Sequence, residues 1–326
     1  MYSPNEAVSL NSDGRGLEEQ NKVSESRATL PVMALCAIMV WAAGGLIRDE
    51  LWVQFACFAV STYLMVELNN ANALIRVYSR MVSCAFLALS CTASFQFSSM
   101  GGTAMELFAI AAYAILFRSY QDRQAAGITF YAFLSVSIGS LFCVHILYYV
   151  PVFWILMAAF IRSISVRTVV ASLFGLCLPY WLAAVIMLYR SELPLLAAHL
   201  ERLAESGPMC DFSALSVNQA ATIAFIMAIA VTGTIHYKRQ SINDKIRTRM
   251  IYSCFITMDL ASAALAILQP QHYELALRMM TINTSPLIAH FITLTNTKLT
   301  NIAFYVIVAA TLALTTFNLW MPSMNF

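Results

Sequence analysis

The chain has 326 residues, of which 60% are hydrophobic and 11% charged, and its formal net charge is +2. Soluble domains carry about a quarter charged residues, so this chain has too little polar surface to cover a water-soluble core. Its near-neutral balance gives no global field for nucleic acid, and eleven glycines exclude a collagen-like chain.

Residues 1–29 are polar, with Pro, Asn, Ser, Glu and Gly and no apolar period. They read as a flexible cytoplasmic tail. They do not read as a secretory signal, because the apolar run begins only at residue 30 and no small-residue cleavage site follows it. Apolar segments then fall at 30–47, 51–67, 81–97, 103–117, 127–147, 149–161, 168–189, 217–235, 250–268, 279–295 and 301–319. A helix needs about 20 apolar residues to cross a ~30 Å hydrocarbon layer. The segments at 103–117 and 149–161 are short for that, so they thin the bilayer, borrow flanking residues or are partly buried broken helices. The joint "LYYVPVF" predicts a hairpin of two helices, with Pro151 in the first turn of the second.

Charge tests the alternation independently. With the N-terminus inside, the inner segments hold Arg15, Lys22, Arg27, Arg76, Arg80, Arg118, Arg123, Arg162, Arg167, five residues of 236–249, and Lys298. The outer ones hold only Arg48, Arg190, Arg202 and Arg278. Every inner loop contributes, as the positive-inside rule expects. The predicted fold is an all-α polytopic transmembrane bundle of about 11 helices, N-terminus inside and C-terminus outside. No internal repeat is visible, and an odd count does not suit the inverted-repeat carriers.

Between the spans, residues 68–80, "LNNANALIRVYSR", read as an interfacial elbow helix with snorkelling Arg76 and Arg80, either of which can reach Glu67. The outer loop 190–216 places Leu195, Leu196, His199, Leu200, Leu203 and Ala204 at helical spacing. This predicts an amphipathic helix on the outer membrane face, ending near Gly207–Pro208. It is either a solvated connector or a platform for a lipid-linked substrate, with Arg190, His199, Arg202 and Arg48 as candidate phosphate contacts. The cytoplasmic loop 236–249 is basic and predicts contact with anionic lipid headgroups. Further membrane proteins are expected as partners, and nucleic acid is not. In the segment 168–189, Gly175 and Pro179 predict a kink.

Two acid and polar features stand inside the spans. Asp259 sits at the middle of 250–268, where a charged carboxylate costs about 3 kcal/mol on insertion scales. All Lys and Arg fall in loops or at helix ends, so no cation lies at its depth. Asn283, Thr284, Ser285 and His290 crowd the next segment around Pro286. A short outer loop makes the two segments antiparallel neighbours, which places His290 about 4 Å nearer the cytoplasm than Asp259 by helical rise. Asp259 is therefore either a neutral acid hydrogen-bonded to a neighbour or half of a proton-sharing pair with His290. Ser262, Ala263 and Ala266 on the same helix allow close approach of another helix. The eight cysteines form no C-x-x-C pair and read as small apolar residues. No metal and no cofactor is expected.

The run "ITFYAFLSVSIGSLFCVHILYYVPVFWILM", then "GLCLPYW", "DKIRTRM" and "SPLIAHF", resembles a family of uncharacterised multi-pass inner-membrane proteins of Bacteroidota. The resemblance covers most of the chain and implies an inner-membrane location and a helical fold. It brings no substrate and no catalytic residues. "RDE" at 48–50 resembles in position the first outer loop of membrane glycosyltransferases that use polyprenyl-phosphate donors, where a catalytic acid sits. The loop here is too short for the reentrant structure those enzymes build. Three classes stay open: a transporter or carrier with a midplane polar site, a non-catalytic assembly or scaffold subunit, and an enzyme acting on a lipid-linked glycan or lipid at the outer leaflet.

Overall fold

The structure is a computed structural model and describes residues 26, 28–205, 207–294 and 298–320. Most of the polar segment 1–29 lies outside them. The described residues form twelve α-helices: α1 Thr29–Ala43, α2 Trp52–Asn72, α3 Met81–Thr92, α4 Met100–Leu116, α5 Ala126–Phe142, α6 Val150–Leu156, α7 Val166–Tyr189, α8 Leu193–Glu201, α9 Val217–Gln240, α10 Ile246–Leu268, α11 Tyr273–Leu294 and α12 Lys298–Trp320. Each of the eleven apolar segments carries one of them, and α8 is the amphipathic helix of the outer loop.

Among the described residues, six helical stretches are long and apolar enough to cross a membrane: 100–119, 144–161, 166–189, 217–243, 246–268 and 300–320. Helices α1, α3 and α5 are apolar but shorter. Some boundaries differ from the sequence reading. The break after α5 falls at Cys143, which is extended at φ −141°, and not at Val150–Pro151. From there a 3₁₀ stretch, Val144–Tyr149, runs straight into α6, which continues as a π-helical turn, Met157–Ile161. The elbow at 68–80 is not a helix of its own. Its first five residues extend α2, Ala73 ends that helix in the left-handed region, and 74–80 are irregular. Leu74 and Ile75 are buried there while Tyr78 is exposed.

Helix α11 is the axis of the bundle. It packs against α3, α4, α9 and α10, and every residue from Leu275 to Thr293 is buried. Helices α4, α5 and α7 form a row leading outward, and α7 at its edge exposes Leu173, Phe174, Trp181, Val185 and Ile186. Contiguous apolar surface of this kind is rare on proteins that meet water.

Helix α7 stays continuous through Pro179. Proline removes the bond to the Gly175 carbonyl, and Ser137 Oγ donates to the next carbonyl, Leu176 O, at 2.6 Å. Gly175 serves the packing of α7 on α5. A Cβ there would lie 2.5 Å from Phe130 O and 3.0 Å from Leu134 N, both backbone atoms that cannot rotate away. Gly175→Ala is therefore expected to destabilise the α5–α7 seam by about 1–3 kcal/mol. A fall in unfolding temperature in detergent measures it, and an unchanged value would mean the two helices can part freely.

Candidate functional site

Because α11 is buried all round, its polar side chains have only protein to bind. Three clusters result, centred on Arg278, Thr284 and His290, and the helical rise separates successive ones by about 9 Å.

The first cluster was not anticipated. Arg278 lies in the second turn of α11 and is 6% exposed. Its Nη1 donates to Glu106 Oε2 of α4 at 2.7 Å, its Nη2 to Gln96 O at 2.6 Å, and its Nε to Glu274 Oε1 at 3.3 Å. Glu106 is 4% exposed, while the Glu274 side chain is 37% exposed. The three charges thus run inward from a half-exposed acid to a buried cation to a buried acid. Gly102 makes room for them, since a Cβ there would run into Glu274 Oε1 and Arg278 Nε. Beside the pair is a cavity of about 20 Å³, lined in part by Trp41, Ser90, Thr103 and Thr281. Trp41 Nε1 and Ser90 Oγ are buried without a partner there, and a space of this size with several polar groups suits one water.

The second cluster holds Asp259. Thr284 Oγ1 donates to both its carboxylate oxygens, at 3.0 and 3.3 Å. One turn along, Tyr149 donates to Ser262 Oγ at 2.9 Å. No cation reaches Asp259 among the described residues. Asn283 and Ser285 bond back to their own helix, at Met279 O and Thr281 O, which leaves Asn283 Oδ1 buried and unpartnered.

The third cluster corrects the expected Asp259–His290 pair. His290 Nε2 lies 3.2 Å from Asp244 Oδ2, in the short connection between α9 and α10. Arg76 Nε lies 2.9 Å from Asp244 Oδ1 but off the N–H direction, so this is a charge contact without a directed hydrogen bond. Burial pushes the Asp244 carboxyl up, and Arg76 and Arg249 pull it back. His290 sits among the rings of Tyr237, Tyr252 and His236, with centroids at 5.1, 5.3 and 5.5 Å. Arg247, in the first turn of α10, donates to Asn72 Oδ1 and Phe117 O, at 3.1 and 3.2 Å.

The candidate phosphate contacts do not converge. Arg48 pairs with its neighbour Asp49 at 2.9 Å and lines a cleft with Ser94 and Asn318. His199 turns toward the bundle, its Nε2 at 2.9 Å from Ser140 O. Arg190 and Arg202 are exposed. In α8 only Leu196 is buried, and Leu195 and Leu200 stay exposed. His145 at Arg202 O and Tyr148 at Leu203 O hold the segment that follows α8, at 3.0 and 2.6 Å. No group of three His, Cys, Asp or Glu side chains able to hold a metal occurs among the described residues.

These features define an all-helical bundle with several helices apolar and long enough for a membrane and a buried polar axis. No family model matches the chain, and neither a curated protein nor a solved structure matches it.

Removing one partner of a buried ion pair leaves the other uncompensated, at a cost of about 3–5 kcal/mol. Arg278→Gln is expected to destabilise by that order, and adding Glu106→Gln to recover most of the loss. Thermal unfolding of the two single variants and the double variant measures the coupling. Additive losses would mean that the two side chains do not act as a pair.

Proposed function

We propose that the chain is an integral protein of the bacterial inner membrane, crosses it eleven times with its N-terminus inside, and acts as a proton-coupled carrier whose path follows α11. The family resemblance in Bacteroidota belongs to the same proposal. The alternation is supported by which helix ends meet. At one end Gln96 bonds Glu274 O, Gln219 bonds Tyr273, and Cys210 N bonds Leu268 O. At the other, Asn69 bonds Ser79 O, Gln121 N bonds Ile161 O, Ser165 bonds Arg123 O, and Arg76 meets Asp244. Each contact joins ends that the alternation assigns to the same face, and the basic loops gather at the second. Exposed Trp52, Tyr189 and Trp320 all fall at ends assigned to the outer face, where interfacial aromatics are expected.

The observation that carries the carrier reading is the placement of three buried carboxylates against one helix. Glu106 stands at the outer third, Asp259 at the middle and Asp244 at the inner end, each from a different element. Ionisable residues inside spans mark ion and proton paths by default. Their partners assign roles. Glu106 is clasped by Arg278 and Asp244 by Arg76 and His290, so each forms a charge-locked gate. Asp259 is held only by a hydroxyl, which a proton can follow in and out. Breaking the outer lock admits water toward Asp259 from outside, and breaking the inner lock admits it from the cytoplasm. Pro286 lies between the middle and inner clusters, where a proline in a helix permits bending.

The enzyme reading has less support, because His199 is committed to Ser140 and Arg48 to Asp49. A scaffold would use the same three carboxylates as ties between helices, and the loss of transport in Asp259→Asn is what separates the two readings.

Topology is tested by impermeant thiol labelling of intact cells in a background cleared of the other cysteines. Native Cys210 is expected to react and a Ser241→Cys variant to stay protected. Reaction of Ser241→Cys would overturn the orientation. Transport is tested in liposomes with an internal pH dye and a potassium–valinomycin potential. The wild type is expected to take up protons and Asp259→Asn to fall to the level of empty liposomes. Equal uptake by both would remove Asp259 from the path.

A further inference from the structure

Helix α12 is clasped near its outer end by Asn318. Asn318 Nδ2 donates to Thr92 O of α3 at 2.5 Å and to Thr222 Oγ1 of α9 at 2.9 Å. Toward its inner end α12 stands off from α1, α3 and α11, and a slot of about 240 Å³ opens between them. The slot reaches from Met33 and Ala88 to Ile288 and Ile292 of the buried axis, with Phe304 and Val308 on the opposite wall. It is almost wholly apolar, and its one hydroxyl on α12, Thr311, is already bonded to Ile307 O at 2.7 Å. Apolar cavities of about 150 Å³ stay dry and accept hydrocarbon guests, so water is not the natural occupant of a larger one.

Among the described side chains, Arg80 stands beside the slot's inner end, near Cys84 of its wall. Arg80 precedes α3 directly and lies one turn before Cys84, on the face that continues through Cys84 and Ala88 along the slot wall. It donates to Tyr78 at 3.2 Å, is half-buried, and makes no ion pair among the described residues. An apolar slot with an unpaired guanidinium at its inner mouth fits an amphiphile with one anionic head. Basic residues between helices at the cytoplasmic face recognise anionic lipid headgroups.

We propose that this slot takes an acyl chain of an anionic phospholipid from the inner leaflet, with the lipid phosphate on Arg80. The inference rests on the membrane reading and on the inner end being cytoplasmic, but not on the proton path; thiol labelling tests those premises separately. The lipid would fill the seam beside Ile288 and Ile292, and so bear on the helix that holds the polar axis.

The test is native mass spectrometry of the full chain in detergent with equal amounts of phosphatidylglycerol and phosphatidylcholine of matched chains. The wild type is expected to retain one phosphatidylglycerol, preferred over phosphatidylcholine by about fivefold, the worth of one basic residue near an anionic headgroup. Arg80→Gln is expected to keep lipid but lose the preference. Ala88→Phe fills the slot and should lower retention of both lipids. Ala171→Phe, which narrows the apolar groove between α5 and α7, should change neither. Equal retention of the two lipids by the wild type would overturn the proposal. So would undiminished retention by Ala88→Phe, the result expected if a segment of the chain or a second copy occupies the slot. Should Ala88→Phe fail to fold, Arg80→Gln decides alone, and an unchanged preference there would overturn it.

Discussion

A helix buried on every side from Leu275 to Thr293 leaves its polar side chains no solvent, and the rest of the bundle is arranged to answer them. An unsatisfied polar group in a medium without water costs several kcal/mol. Helix α11 meets this partly from within, as Thr281, Asn283 and Ser285 bond carbonyls one turn back. The groups it cannot serve itself are served by neighbours. Arg278 is met by α4 and the Gln96 carbonyl, Thr284 by α10, and His290 by the α9–α10 connection. The order of helices around the axis follows from that supply.

The same constraint explains why the two ends of the bundle differ. At the outer end the buried cation is Arg278, on α11 itself, and the acids come from α4 and from one turn before it. At the inner end the buried group is an acid, Asp244, and the cations come from the 74–80 elbow and from α10. A single carboxylate in a basic loop thereby fixes three elements to one another. The lateral seams are tied by neutral hydrogen bonds, Ser137 to Leu176 O between α5 and α7 and Asn318 to Thr92 O and Thr222 at α12, and apolar grooves open beside them.

Much of the fold was legible from hydropathy and charge. Long apolar runs and the bias of Lys and Arg locate a helix in each of the eleven segments, and helical spacing locates α8. Boundaries were harder where the pattern has no break. The turn at Cys143 lies inside an unbroken apolar run, and only its extended backbone ends α5. The polar "LNNAN" stretch reads as the start of a separate elbow helix, yet it continues α2, with Asn69 and Asn72 bonded to the carbonyls of Ser79 and Leu68. The polar site was half legible. Asp259 and Thr284 stand out as polar residues in apolar spans, and they meet. Glu106 obeys the same rule, as a lone acid among small and apolar residues. Arg278 lies outside the apolar segments and so reads as loop, although its i,i+4 spacing from Glu274 marks a helix. The pairing of His290 with Asp244 joins residues 46 apart, and nothing in local spacing reveals such a contact.

A carrier path along α11 must open to each side in turn, and cysteine accessibility at its middle reports this opening. A single Thr284→Cys in a background without other cysteines places a thiol at the Asp259 position. Slow reaction with an impermeant thiol reagent is expected from outside, and separately from the cytoplasmic side of inverted vesicles. Cross-linking the outer gate through cysteines at Glu106 and Arg278 should abolish only the outside reaction. A thiol at 284 that stays inert from both faces, while an exposed control cysteine reacts, would contradict such a path and leave α11 a sealed structural core.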